Sequence, residues 1–127
     1  MTIDTYPGAL TPGSTPFDPL ELAAETERIV CNGDARRYTR FTSNRFYGGI
    51  STGYTVGCNL RCVYCWVGEG RDQPHGAGRL CTAHDAARKL IATARRKRYE
   101  QARVSGGEPT IGWRHLTGIL EEMEEAE

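Results

Sequence analysis

The chain has no long apolar run: nothing in its 127 residues approaches the about 18–20 apolar positions that a bilayer-spanning helix needs. Its opening, MTIDTYPGAL, has neither a positive n-region nor an apolar h-region. No secretory signal is therefore expected, and the cytoplasm is the expected location. Net charge is absent too, since 16 basic and 16 acidic residues cancel, so no global field draws the chain to nucleic acid or a membrane surface. No internal repeat or low-complexity tract is present. Cysteines number only five, an odd count that argues against a disulfide framework. In a reducing compartment, clustered cysteines favour metal or redox chemistry instead. The length suits one ordinary domain with a modest core.

What is there has an order. Residues 1–17 hold three of the six prolines and read as a loop or loosely packed tail. Asp18 is placed to cap a helix, with Pro19 at its first position and Glu21 as a first-turn acid. Leu20, Ala23, Ala24 and Cys31 fall on one face of it, and Asn32-Gly33 supplies the stop. Arg36 to Arg45 is basic and aromatic, a short strand or extended segment, and Gly48-Gly49 breaks the pattern. ISTGYTV, from Ile50 to Val56, has strand composition with Ile50, Tyr54 and Val56 on one side. Residues 67–80, rich in glycine and charge, read as loop. Thr82 reads as an N-cap with Asp85 three residues on. Ala83, Ala86, Ala87, Leu90, Ile91 and Ala94 then form one face of an amphipathic helix. QARVSGG is a second strand ending in glycines, and Pro109 cannot continue a ladder. Trp113, Leu116, Leu120 and Met123 mark a last helix with a frayed, glutamate-rich end at Glu121 to Glu127. From residue 50 the rhythm is strand, loop, helix, strand, loop, helix, which is that of a parallel sheet.

The chemistry concentrates in GCNLRCVYCWVGEG, with Cys58, Cys62 and Cys65 in one loop. A structural zinc is four-coordinate and usually takes two paired ligand groups. Here the fourth ligand would have to come from Cys31, His75, Cys81 or His84, none of which forms such a pair. A fully ligated cubane takes four cysteines, whereas three leave one iron open for a substrate or cofactor. Both readings stand at this point, with plain thiols as a third. Cys31 and Cys81 fit small core residues. His84 falls on the polar face of its helix and reads as solvated, and His75 sits in a glycine-rich loop with no role assigned. Arg95, Arg96, Lys97 and Arg98 fit a solvated last helical turn that complements the helix dipole, with RNA contact as the sharper alternative.

The C-x3-C-x2-C spacing, with Tyr64 just before Cys65, resembles the signature of the radical S-adenosylmethionine (SAM) family. Gly106-Gly107-Glu108-Pro109, at the end of the second strand, resembles that family's second mark. The flank GCNLRCVYCW is similar to its activating-enzyme-like members. The likeness covers roughly residues 50–127 and divides the chain into an N-terminal extension, 1–49 (tail plus one helix), and an incomplete core, 50–127. It implies an α/β fold, the N-terminal portion of a partial (β/α) barrel. It implies a [4Fe–4S] cluster on Cys58, Cys62 and Cys65, with SAM chelating the fourth iron. It places Gly106, Gly107 and Glu108 beside the methionyl amine and Tyr64 near the adenine. Reductive cleavage of SAM to a 5′-deoxyadenosyl radical is the activity implied, with an electron donor such as flavodoxin or ferredoxin. A truncated or incomplete member is expected, with a partner completing the sheet, no membrane and no nucleic acid. The substrate stays open. The rival is a non-catalytic zinc-binding or partner-recognition module.

Overall fold

The computed structural model describes residues 16–62, 65 and 74–126. Helix α1 spans Pro19–Val30 and is capped as expected, the Asp18 side chain accepting from the Leu20 amide at 2.9 Å. Its buried face differs from expectation. Leu22, Thr26 and Val30 point inward, while Leu20 is 79% exposed and Ala24 is exposed as well. The reason is Thr26, which hides its hydroxyl by donating back to the Leu22 carbonyl at 2.7 Å and so serves as an inward residue. Cys31 leaves the helix in extended conformation and begins a two-residue strand, β1, Cys31–Asn32.

Strand β2, Ala35–Asn44, fills the segment read as strand or extended. After a 3-10 turn at Phe46–Gly48 comes β3, Ile50–Thr55. A three-residue strand, β4, Arg79–Cys81, occupies the end of the stretch expected to be loop. Only its antiparallel pairing with Arg36, Arg37 and Tyr38 of β2 makes it a strand, and no local pattern announces that partner. Helix α2, Ala83–Lys97, strand β5, Gln101–Gly106, and helix α3, Trp113–Glu125, complete the chain.

The sheet has the order β1-β2-β3-β5, with β4 on β2. β3 and β5 run parallel in continuous register from Ile50↔Gln101 to Thr55↔Gly106, joined through α2. β2 is antiparallel to β3. The chain is thus a mixed α/β structure that carries a βαβ unit, consistent with part of a (β/α) barrel. Residues before 49 take part in the same sheet, since Asn44 pairs Ile50 and Tyr38 pairs Thr55.

One core joins sheet to helices. α2 presents Ala83, Ala86, Ala87, Leu90 and Ala94, as its periodicity predicts. Small residues there let the helices and sheet close in: a Cβ on Gly118 of α3 would lie 2.7 Å from that of Ala83. The Ser51 hydroxyl reaches across from β3 to the Leu90 carbonyl at 2.9 Å. A second cluster of Val30, Val56 and Ile111 lies where α1 meets the ends of the strands. Cys81 is buried in the first cluster and half-buried Cys31 packs on the second, as small core residues do. His84 pairs with Glu122 at 3.1 Å, linking α2 to α3, and Arg95 donates to the Ala126 carbonyl at 3.0 Å. No helix among the described residues is long and apolar enough to cross a membrane.

α3 buries His115 and Ile119, while Trp113 and Leu120, two of the residues that marked the helix in the sequence, are 63% and 59% exposed. His115 takes the inward place because it makes two hydrogen bonds there. Its Nδ1 lies 2.6 Å from the Asp34 carbonyl and its Nε2 lies 2.6 Å from the Tyr38 hydroxyl. A carbonyl opposite Nδ1 requires the proton on that nitrogen, so Nε2 accepts from Tyr38. Burial is the main cause that lowers the His115 pKa below the ordinary histidine value and raises that of Tyr38. An unfolded chain takes up a proton at His115 below about pH 6.5, and the folded chain resists it. The contribution is therefore fully present above that pH and is lost on acidification. Urea midpoints should fall between about pH 7.5 and about pH 5.5, with a shallower fall in His115→Gln. Equal slopes in the two proteins would show that His115 is not the linked group.

Candidate metal centre

Parallel pairing brings the C-terminal ends of β3 and β5 side by side, and the backbone ladder does not stop there. The Gly107 amide donates to the Thr55 carbonyl at 3.0 Å, and the Glu108 amide donates to the Gly57 carbonyl at 2.9 Å. The GGE turn is thereby fastened to the base of the loop that carries Cys58, Cys62 and Cys65. No side chain fits between the two segments. Gly106 has φ +105°, and a Cβ on it would lie 2.6 Å from the Thr55 nitrogen. A Cβ on Gly107 would lie 2.1 Å from the Gly57 carbonyl oxygen. The neighbour that demands glycine here is the chain's own backbone.

None of the three loop cysteines is in a disulfide, and all three are half-buried. Cys58 Sγ accepts from the Leu60 amide at 3.4 Å, and the Cys65 amide turns back to the Cys62 carbonyl at 3.2 Å. Arg61, fully buried in a left-handed conformation at φ +55°, donates to the Cys58 carbonyl at 2.6 Å. Three soft thiols free of any disulfide are the donor set an iron–sulfur group takes. Among the described residues, no three metal-ligating side chains are gathered at one point. Tyr64 lies outside the described residues. The Glu108 carboxylate is half-buried and accepts from Thr110, from the hydroxyl at 2.9 Å and the amide at 3.3 Å. Among the described residues no hydrogen bond joins His75 or His84 to either segment, and His84 is engaged with Glu122.

One residue at this site was not singled out by sequence. Arg36, on β2, is fully buried beneath both segments. Its guanidinium donates to the carbonyls of Val56 at 2.7 Å, Gly57 at 3.3 Å and Glu108 at 3.1 Å, and also to that of Ile111. Burial lowers its pKa, an effect offset in part by Cys31, Tyr38, Glu108 and Cys58. The signal available in the sequence was faint: Arg36 and Tyr38, two apart, share the inward side of β2.

The sequence profile of the Radical SAM superfamily matches residues 53–127. GTP 3′,8-cyclase of Edwardsiella ictaluri (strain 93-146) is 39% identical over 54 residues, covering 42% of this chain and 16% of that protein. GTP 3′,8-cyclase of Mycobacterium sp. (strain KMS) is 36% identical over 78 residues, 58% of this chain and 22% of that protein. 7-Carboxy-7-deazaguanine synthase of Methanothermobacter thermautotrophicus (strain Delta H) is 38% identical over 67 residues, 53% of this chain and 26% of that protein. The matched part therefore spans about a quarter or less of each of these relatives. No solved structure matches.

The glycine packing yields a test that needs no bound group. Gly107→Val places its side chain on the Gly57 carbonyl, an overpacking that should cost about 1–3 kcal/mol. Denaturant unfolding of the metal-free protein measures it. An unchanged midpoint would mean that the two segments are not packed as described.

Proposed function

The chain belongs to the radical SAM superfamily, and from that premise we propose that Cys58, Cys62 and Cys65 hold three irons of a [4Fe–4S] cluster whose fourth iron is left for SAM. The observation that carries this reading is the fastening of the GGE turn to the cysteine loop by the Gly107 and Glu108 amides. Three thiolates and a backbone cradle without Cβ atoms then share one end of the sheet, where barrel enzymes keep their sites. When bound, the cluster and SAM supply one-electron cleavage of the sulfonium to methionine and a 5′-deoxyadenosyl radical.

The chain's own residues do the rest. The loop thiols bind the metal, and the Leu60 amide on Cys58 Sγ lends that thiolate a hydrogen bond of the kind that tunes such centres. Gly106 and Gly107 keep the floor of the site free of side chains. Thr110 holds the Glu108 carboxylate in one place. The electron comes from a flavodoxin- or ferredoxin-like donor. β5 has one partner strand among the described residues, and its free edge is where a completing strand would pair. The names of the relatives specify a GTP cyclisation and a deazaguanine synthesis for those proteins. With so small a share of their length matched, the substrate of this chain is not carried over from them.

Anaerobic reconstitution should give a brown protein with about four irons per chain and an electron paramagnetic signal on reduction. SAM should perturb that signal. Cys58→Ala, Cys62→Ala or Cys65→Ala should abolish the cluster, whereas Cys31→Ala and Cys81→Ala should not. Stoichiometric zinc that survives iron reconstitution would sink the proposal and favour the binding-module reading.

A further inference from the structure

Buried arginines are costly unless a negative group answers the charge. Arg36 has no side-chain carboxylate bonded to it among the described residues. Its hydrogen-bond acceptors are four neutral backbone carbonyls, and its buried Nε has no acceptor. A neutral donor could cap such carbonyls without the cost of burying a charge. Two facts make the charge intelligible. The four carbonyls belong to the two segments that form the metal centre, Val56-Gly57 before the first loop cysteine and Glu108 to Ile111 after the glycines. The groups that offset the charge are Cys31 and Tyr38 first, and then Glu108 and the Cys58 thiol, the last two at that same end of the sheet.

We infer that Arg36 is a positioning residue of this centre: its rigid fork sets the spacing between cysteine loop and GGE turn, and its fixed positive charge stabilises the thiolate-bound group above it. The inference rests on the functional reading proposed above. Arginine suits both tasks, because its planar fork reaches several acceptors at once and it does not give up its proton. A neighbouring cation favours the more negative, reduced state of an iron–sulfur group, since net charge and hydrogen bonding around the sulfurs set its potential. Arg37, the next residue, provides a control. It donates to the Ala77 and Gly78 carbonyls at 3.5 and 3.2 Å, away from both segments.

The test compares the parent 127-residue chain with Arg36→Met, Arg36→Lys and Arg37→Met. The first readout is amide hydrogen exchange of the metal-free proteins at Gly107 and Glu108. The second is the midpoint potential of the reconstituted cluster. Arg36→Met should speed exchange at both amides and cut the ratio of reduced to oxidised cluster at a fixed poise about tenfold, a shift of about 59 mV for one electron. Arg36→Lys keeps the charge and loses the fork, so it should speed exchange while holding the potential near that of the parent. Arg37→Met should change neither. Should Arg36→Met fail to fold, the Lys protein decides: parent-like exchange, or a potential lowered as far as loss of the charge would lower it, overturns the proposal. A folded Arg36→Met protein with a parent-like potential overturns it as well, and leaves Arg36 a cap for strand-end carbonyls. A parent that takes up no iron overturns the functional reading and this proposal with it.

Discussion

The centre depends on a backbone ladder that outlasts its strands. β3 and β5 are paired as far as Thr55 and Gly106, and two further amide–carbonyl bonds carry the contact on to Gly57 and Glu108. That extension can exist only if nothing projects between the two backbones. Both positions of the approach are accordingly glycine, one of them at a positive φ that a side chain would strain. The loop of three cysteines is thus born from the same point in space as the GGE turn, although the two are far apart in sequence.

Support for this ladder comes from elements on either side of it. α2 lies against β3 through a face of alanines and one leucine, which lets the helix approach closely enough for Ser51 to bond the Leu90 carbonyl. β3 is buried on both faces, with Ile50, Ser51, Thr52 and Thr55 all at or below 7% exposure. On its other side β2 supplies Tyr38, tied through His115 to α3, and Arg36, tied to both strand ends. The Val30, Val56 and Ile111 cluster closes the space beneath the loop.

Features encoded within a few residues of themselves were legible in the sequence. The Asp18 and Thr82 caps, the alanine face of α2, the cysteine spacing and the GGE turn belong to this class, each recognisable from neighbours no more than a helical turn or two away. Other features depend on residues brought in from a distance. Arg36 looks like one of several arginines in a basic stretch until its acceptors, 20 to 75 residues along, are known. β4 is a strand only because β2 lies beside it. Thr26 and His115 are polar residues in inward positions, made possible by hydrogen bonds that no periodicity reports, while Leu20 and Trp113 stay exposed.

The stretch held in common with the superfamily begins at residue 53, in the middle of β3. The guanidinium beneath the shared motifs enters from residue 36, and the strand that flanks β3 ends at residue 44. The matched stretch and the folded sheet therefore have different borders in this molecule. The matched stretch holds both motifs, and Arg36, whose guanidinium reaches carbonyls beside each of them, lies ahead of it in sequence. Two proteins sharing those motifs letter for letter could then differ in the behaviour of their metal centres through a residue that no comparison of the shared part would bring into view.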